Sequence, residues 1–123
     1  MMILDKKVSV ILMKKDNEGR YLSKLNKKAI NILTEAFGGT TITSASGTWT
    51  DNGKIYKDKS YIISCNYAKK LTGKQLGAFL TVVKMEFLEG KQLGVSVVLG
   101  QSLYILDRSD LKQLENIFVN NLK

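Results

Sequence analysis

The sequence predicts an α+β fold: a ferredoxin-like βαββαβ core whose antiparallel sheet carries helices on one face, plus an extra C-terminal strand and helix. Three observations predict it. Segments of two-residue apolar alternation interleave with segments whose apolar residues recur every three or four positions, in the order β-α-β-β-α-β. Turn and stop signals separate them, at Asp16 to Gly19, Gly38-Gly39, Asp51 to Gly53, Gly90 and Gly100. A length of 123 residues, 44% hydrophobic and 24% charged, suits one domain over 1–123, and such a chain buries about two-thirds of its unfolded surface.

Each element has its own signal. Lys7 to Lys14 alternates around Val8, Val10 and Leu12, a strand buried on at least one face. Ser23 offers an N-cap, and Leu25, Ala29, Ile32, Leu33 and Ala36 mark a helix from Lys24 to Phe37 that stops at Gly38. Thr40 to Trp49 is β-prone, and Asp51-Asn52-Gly53 turns it into a return strand covering Ile55 and Tyr61 to Tyr67. On that strand Tyr61, Ile63, Cys65 and Tyr67 share one face. Thr72 and Gln75 have the spacing of a capping box, opening a helix with Leu76, Phe79, Leu80, Val83 and Phe87 on its apolar side. Leu93 to Leu99 and Ser102 to Leu106 form a second hairpin about Gly100-Gln101. Ser109 is expected to cap a last helix carrying Leu111, Leu114, Phe118 and Leu122.

Composition excludes several chemistries. With no histidine and the single cysteine Cys65, serine–histidine and cysteine–histidine catalysis, the usual zinc sites and an internal disulfide are all ruled out. Cys65 reads as a small buried thiol. Eleven Asp and Glu residues keep carboxylate chemistry formally open, but none forms an acid–base motif, and Glu86 with Glu89 reads as solvated helix surface. No stretch of about 18 apolar residues is present to span a membrane. The start, Met1 to Lys7, lacks a signal-peptide core, so a cytoplasmic protein is expected.

The formal charge of +8 comes from 19 basic residues, of which only Arg20 and Arg108 are arginines. It points to an anionic partner, or to a lysine-rich coding bias. Lys24, Lys27 and Lys28 fall on one side of the first helix, as a solvated face or a phosphate-facing stripe. An arginine fork grips phosphate in a way lysine does not. Arg108 stands at the entry to the last helix, ready for an anion or for an ion pair with Asp107 or Asp110. Gly38 and Gly39 form either a helix cap or a backbone nest. Trp49, Tyr56 and Tyr61 lie on the hairpin and could stack a base, or Trp49 packs into a core or a subunit interface.

The run helix–Gly38-Gly39-x-Thr41, then Gly47-Thr-Trp49, then Gly53-Lys-Ile55, then an apolar strand and helix resembles a group of small phage and prophage proteins with a ferredoxin-like core. It is also compatible with phage sponges against Thoeris immunity, which hold a signalling cyclic nucleotide without cleaving it. The resemblance implies a non-enzymatic binder of a small phosphorylated ligand, with no catalytic residue, cofactor or metal. Physical grounds assign the ligand to Arg20, Lys24, Lys28, Gly38, Gly39, Trp49 and Arg108. A homo-oligomer is expected, joined through the hairpin or the C-terminal helix. The alternative is a nucleic-acid-binding or protein-inhibiting accessory factor of a mobile element.

Overall fold

Five strands hydrogen-bond in the order β2-β3-β1-β4-β5, every pair antiparallel. The structure is a computed structural model and describes residues 1–121; Leu122, expected on the last helix, lies outside them. The strands are β1 (Lys6–Met13), β2 (Thr41–Asp51), β3 (Lys54–Tyr67), β4 (Gly94–Leu99) and β5 (Ser102–Asp107). The helices are α1 (Ser23–Phe37), α2 (Gly73–Leu88) and α3 (Leu114–Asn121), the last preceded by a 3₁₀ turn over Arg108–Gln113. The first four strands keep the ferredoxin-like order, and β5 is added beside β4 as a hairpin.

Alternation along the strands produces the core. Val8, Val10 and Leu12 stand opposite Cys65, Ile63 and Tyr61, and Val8 and Val10 also face Leu99 and Val97. All but Tyr61 are buried. Ala29, Leu33, Phe79, Val82, Val83, Leu114 and Phe118 from the helices complete one cluster. Cys65 lies inside it, and burial pushes its thiol up to about 12, which leaves it inert.

The turns follow the residue types. Asn52 and Gly53 both take positive φ, 50° and 77°, as a two-residue type I′ hairpin requires. Thr72 and Gln75 form both halves of the capping box on α2. Gly38 closes α1 at φ 81°, donating its N–H to the Thr34 carbonyl.

Three local expectations need correction. Leu22, not Ser23, occupies the N-cap of α1, and it makes no side-chain cap. Asp107, not Ser109, caps the 3₁₀ turn: its carboxylate accepts from the Ser109 N–H while Asp110 accepts from the Asp107 N–H. Glu86 is not solvated; only 1% of it is exposed. Its position on α2 falls three residues after Val83 and seven after Phe79, on the stripe that faces the core.

Among the described residues no helix is long and apolar enough to cross a membrane.

Candidate functional site

Strands β2 and β3 outrun the rest of the sheet. β1 ends at Met13, opposite Ser60. Beyond that point the two strands continue as a free arm whose tip is the Asn52-Gly53 turn. On the arm Trp49 pairs with Tyr56, and their rings stack with centroids 4.6 Å apart. Both remain part-exposed. Gly47 stands opposite Asp58, whose carboxylate oxygen comes within 2.7 Å of where a Cβ on Gly47 would lie. A side chain at 47 would displace that carboxylate.

Facing the arm is the link between β1 and α1, folded into a small closed loop. The Asp16 carboxylate accepts the N–H groups of Glu18 and Arg20 and pairs with the Arg20 guanidinium at 3.0 Å. These hydrogen bonds, foremost the one from the Arg20 N–H, hold Asp16 below the usual carboxylate range. Lys15 bridges to Tyr21, and Leu22 donates to the Lys14 carbonyl. The loop is thereby a firm wall rather than a slack connection.

Two clefts adjoin this wall and share Lys14 and Tyr21. The inner one, about 500 Å³, lies between α1 and the sheet, with Asn26, Ile30, Ile42 and Tyr61 among its lining. The outer one, about 1080 Å³, lies between loop and arm and reaches Trp49, Tyr56, Lys57, Asp58 and Lys59. Lys14 separates them. Its ammonium donates to Ser44 Oγ at 2.7 Å and sits 4.4 Å from the centre of the Tyr61 ring. Beneath the inner cleft, Asn26 is buried and donates through Nδ2 to the Met13 carbonyl, and its Oδ1 has no hydrogen-bond partner among the described residues. An orphaned buried acceptor costs about 1–3 kcal/mol.

At the same end of the sheet, α2 finishes with Glu86 buried and, among the described residues, no hydrogen-bond partner for either carboxylate oxygen. Desolvation pushes its pKa up to about 7. Gln92, which lines the outer cleft, donates its backbone N–H to the Glu86 carbonyl.

The residues anticipated for a ligand are scattered over this frame. Trp49 lines the outer cleft. Arg20 belongs to the loop wall, its guanidinium taken by Asp16 and by Glu18 at 2.7 Å. Lys24 and Lys28 are exposed on α1, and Lys28 lies 3.9 Å from Glu89. Gly38 and Gly39 follow the far end of α1, away from both clefts, and the Gly38 amide is already committed to the helix. Arg108 donates to the Phe87 carbonyl at 2.8 Å and ties the end of α2 to the end of β5. The sequence singles out Tyr61, with Trp49 and Tyr56, as an aromatic able to stack a base, but does not single out Lys14, Asn26 or Tyr21 for a ligand. Their one signal is an asparagine at a core position of an otherwise amphipathic helix.

No family model matches the chain, and no curated protein does. Two solved structures share its fold. One is a phage SAM lyase in complex with S-methyl-5'-thioadenosine, 16% identical, with a TM-score of 0.63 over 89% of this chain and 96% of that one. The other is a phage SAM lyase in the apo state, 17% identical, with a TM-score of 0.60 over 87% of this chain and 94% of that one. At such identity the likeness establishes the fold. It also overturns the expectation of a non-enzymatic sponge for a cyclic nucleotide, since both of these structures are of a phage SAM lyase.

Proposed function

We propose that this protein is a lyase acting on S-adenosylmethionine, and that the paired clefts release methylthioadenosine. The observation that carries the reading is the likeness over 89% of the chain to a phage SAM lyase holding S-methyl-5'-thioadenosine. The cleft chemistry suits the substrate. Adenine offers flat faces to Tyr21 and Tyr61, which both line the inner cleft. The sulfonium is a soft cation suited to the exposed faces of Trp49 and Tyr56. Asp58, on the same face of the arm as Trp49 and Tyr56, supplies a carboxylate for the substrate ammonium.

The reaction asks little of acid–base side chains, which fits a chain without histidine. When the bond between sulfur and the γ carbon breaks, the bonding pair stays on sulfur and a neutral thioether leaves without needing a proton. The pair that replaces it comes from the substrate's own carboxylate, which closes a five-membered lactone. The protein's share is to fold the methionyl chain into the closing geometry and to strip water from its carboxylate.

Incubation of the purified protein with S-adenosylmethionine tests this. Chromatography with mass detection should show methylthioadenosine and a four-carbon amino lactone, both well above the uncatalysed background. Trp49→Ala, at a half-exposed position, should lower kcat/KM about tenfold through loss of the cation–π contact while the fold stays intact. Background levels of methylthioadenosine would end the lyase reading. An unsaturated amino acid in place of the lactone would keep the lyase and remove the ring closure.

A further inference from the structure

Gly47 stands inside β2 at a place where the backbone does not require a glycine. Pairing runs through it without a bulge, Ser46 with Lys59, Gly47 with Asp58 and Thr48 with Lys57. It does not take positive φ. No backbone crowds it either: the three atoms nearest to a Cβ built there all belong to the Asp58 carboxyl group, with Oδ1 at 2.7 Å. A glycine inside a strand weakens that strand. What this one makes room for is the carboxylate lying across it.

That carboxylate is itself unusual in this chain. Asp58 is half-buried, and among the described residues it makes no hydrogen bond and no ion pair. Asp16, by contrast, spends its oxygens on Glu18 and Arg20. Strand alternation sends Lys57 and Lys59, the neighbours of Asp58 in sequence, to the opposite face of the arm. Two residues further along its own face stand the stacked rings of Trp49 and Tyr56. A carboxylate without a partner, laid on one face with two aromatic rings, is free to receive a cation.

We infer that Gly47 is a positioning residue that makes the outer cleft selective for substrates carrying an ammonium group. With no side chain at 47, the Asp58 carboxylate lies across β2 and meets the α-ammonium of the methionyl chain. A methyl group at 47 takes that space, and the carboxylate swings away. The adenine end, held in the inner cleft, is untouched by the change. The inference rests on the lyase reading for where the methionyl chain lies, not for turnover.

Calorimetric titration with two nucleosides gives the test. S-adenosylhomocysteine keeps the ammonium but has no sulfonium leaving group, and methylthioadenosine has no amino-acid tail. Gly47→Ala should weaken binding of S-adenosylhomocysteine about tenfold, the loss of one charge-assisted hydrogen bond. Methylthioadenosine should bind as it does to the wild type. Circular dichroism and melting temperature should hold, because the displaced atom is the free end of a side chain and alanine suits a strand better than glycine. Asp58→Asn should give the same selective loss, and the double variant no more than either alone, since both remove one contact. A glycine needed only for the strand would instead weaken both nucleosides together. Unchanged binding of S-adenosylhomocysteine by Gly47→Ala, equal loss of both nucleosides, or losses that add in the double variant would overturn the inference. A wild type that binds both nucleosides but yields no methylthioadenosine from S-adenosylmethionine ends the lyase reading alone. A wild type that binds neither ends both.

Discussion

Glu86 shares the buried side of α2 with Phe79, Val82 and Val83, yet among the described residues has no hydrogen-bond partner for either carboxylate oxygen. Such a group is tolerated when it is protonated, and desolvation raises its pKa from the ordinary 4.5 to about 7. The sign of the stability effect follows. Between those two values the folded chain holds a proton that the unfolded chain has released. Stability from this group is therefore full below about pH 4.5 and is lost as pH rises through 7. The loss is on the order of a few kcal/mol, since a tenfold change in proton affinity corresponds to about 1.4 kcal/mol. Urea unfolding at about pH 5.5 and about pH 8 should show the wild type weaker at the higher pH. Glu86→Gln, which keeps the shape and cannot ionise, should remove most of that difference and exceed the wild type at the higher pH. An unchanged difference in the variant would mean that Glu86 does not titrate in this window.

The helices differ in how their first turns are satisfied. The cap on α2 is reciprocal, with Thr72 Oγ1 accepting from the Gln75 N–H at 3.1 Å and Gln75 Oε1 accepting from the Thr72 N–H at 3.0 Å. Thr72→Ala should cost about 1 kcal/mol in denaturant unfolding. Ser23→Ala should cost much less, because α1 begins after Leu22 without a side-chain cap. Equal losses would show that the cap geometry is not what stabilises α2. The contrast also marks what the sequence makes legible. Thr72 with Gln75, Asn52 with Gly53, and the alternation of Val8, Val10 and Leu12 are local patterns, and each produces the element it announces. The start of α1 is not legible in this way because backbone pairing across the preceding loop sets it: Lys15 bridges to Tyr21, and Leu22 donates to the Lys14 carbonyl. The clefts are hidden for the same reason. Lys14, Asn26 and Tyr61 are far apart in the chain and meet through strand register and helix packing. Trp49 is visible because a lone tryptophan beside a hairpin turn stands out in composition alone. Glu86 is readable from helical spacing, but its charge argues for solvent more loudly than its position argues for the core.

For the molecule as a whole, the proposed substrate meets a field of its own sign. S-adenosylmethionine carries a sulfonium, an ammonium and a carboxylate, one net positive charge, and it approaches a chain of net charge +8. At about 0.01 M salt the screening length is ~30 Å, so the whole lysine surface repels the incoming cation; at about 0.15 M it is ~8 Å and only the cleft is felt. Inside the cleft the balance changes, since Asp58 and the faces of Trp49 and Tyr56 attract what the distant lysines reject. Salt should therefore speed encounter without altering the step after binding. The kcat/KM for S-adenosylmethionine is expected to rise about two- to threefold between those salt concentrations, with kcat constant. A polyanion behaves in the opposite way, because each phosphate neutralised by lysine releases counterions and binding weakens as salt rises. Steady-state kinetics across the salt series, with short DNA titrated under the same conditions, therefore asks which partner the charge serves. A rising kcat/KM with negligible DNA binding assigns the clefts to the small cation and leaves the lysines as a solvating shell. A falling kcat/KM would mean that the local carboxylates outweigh the net charge at every distance the substrate samples.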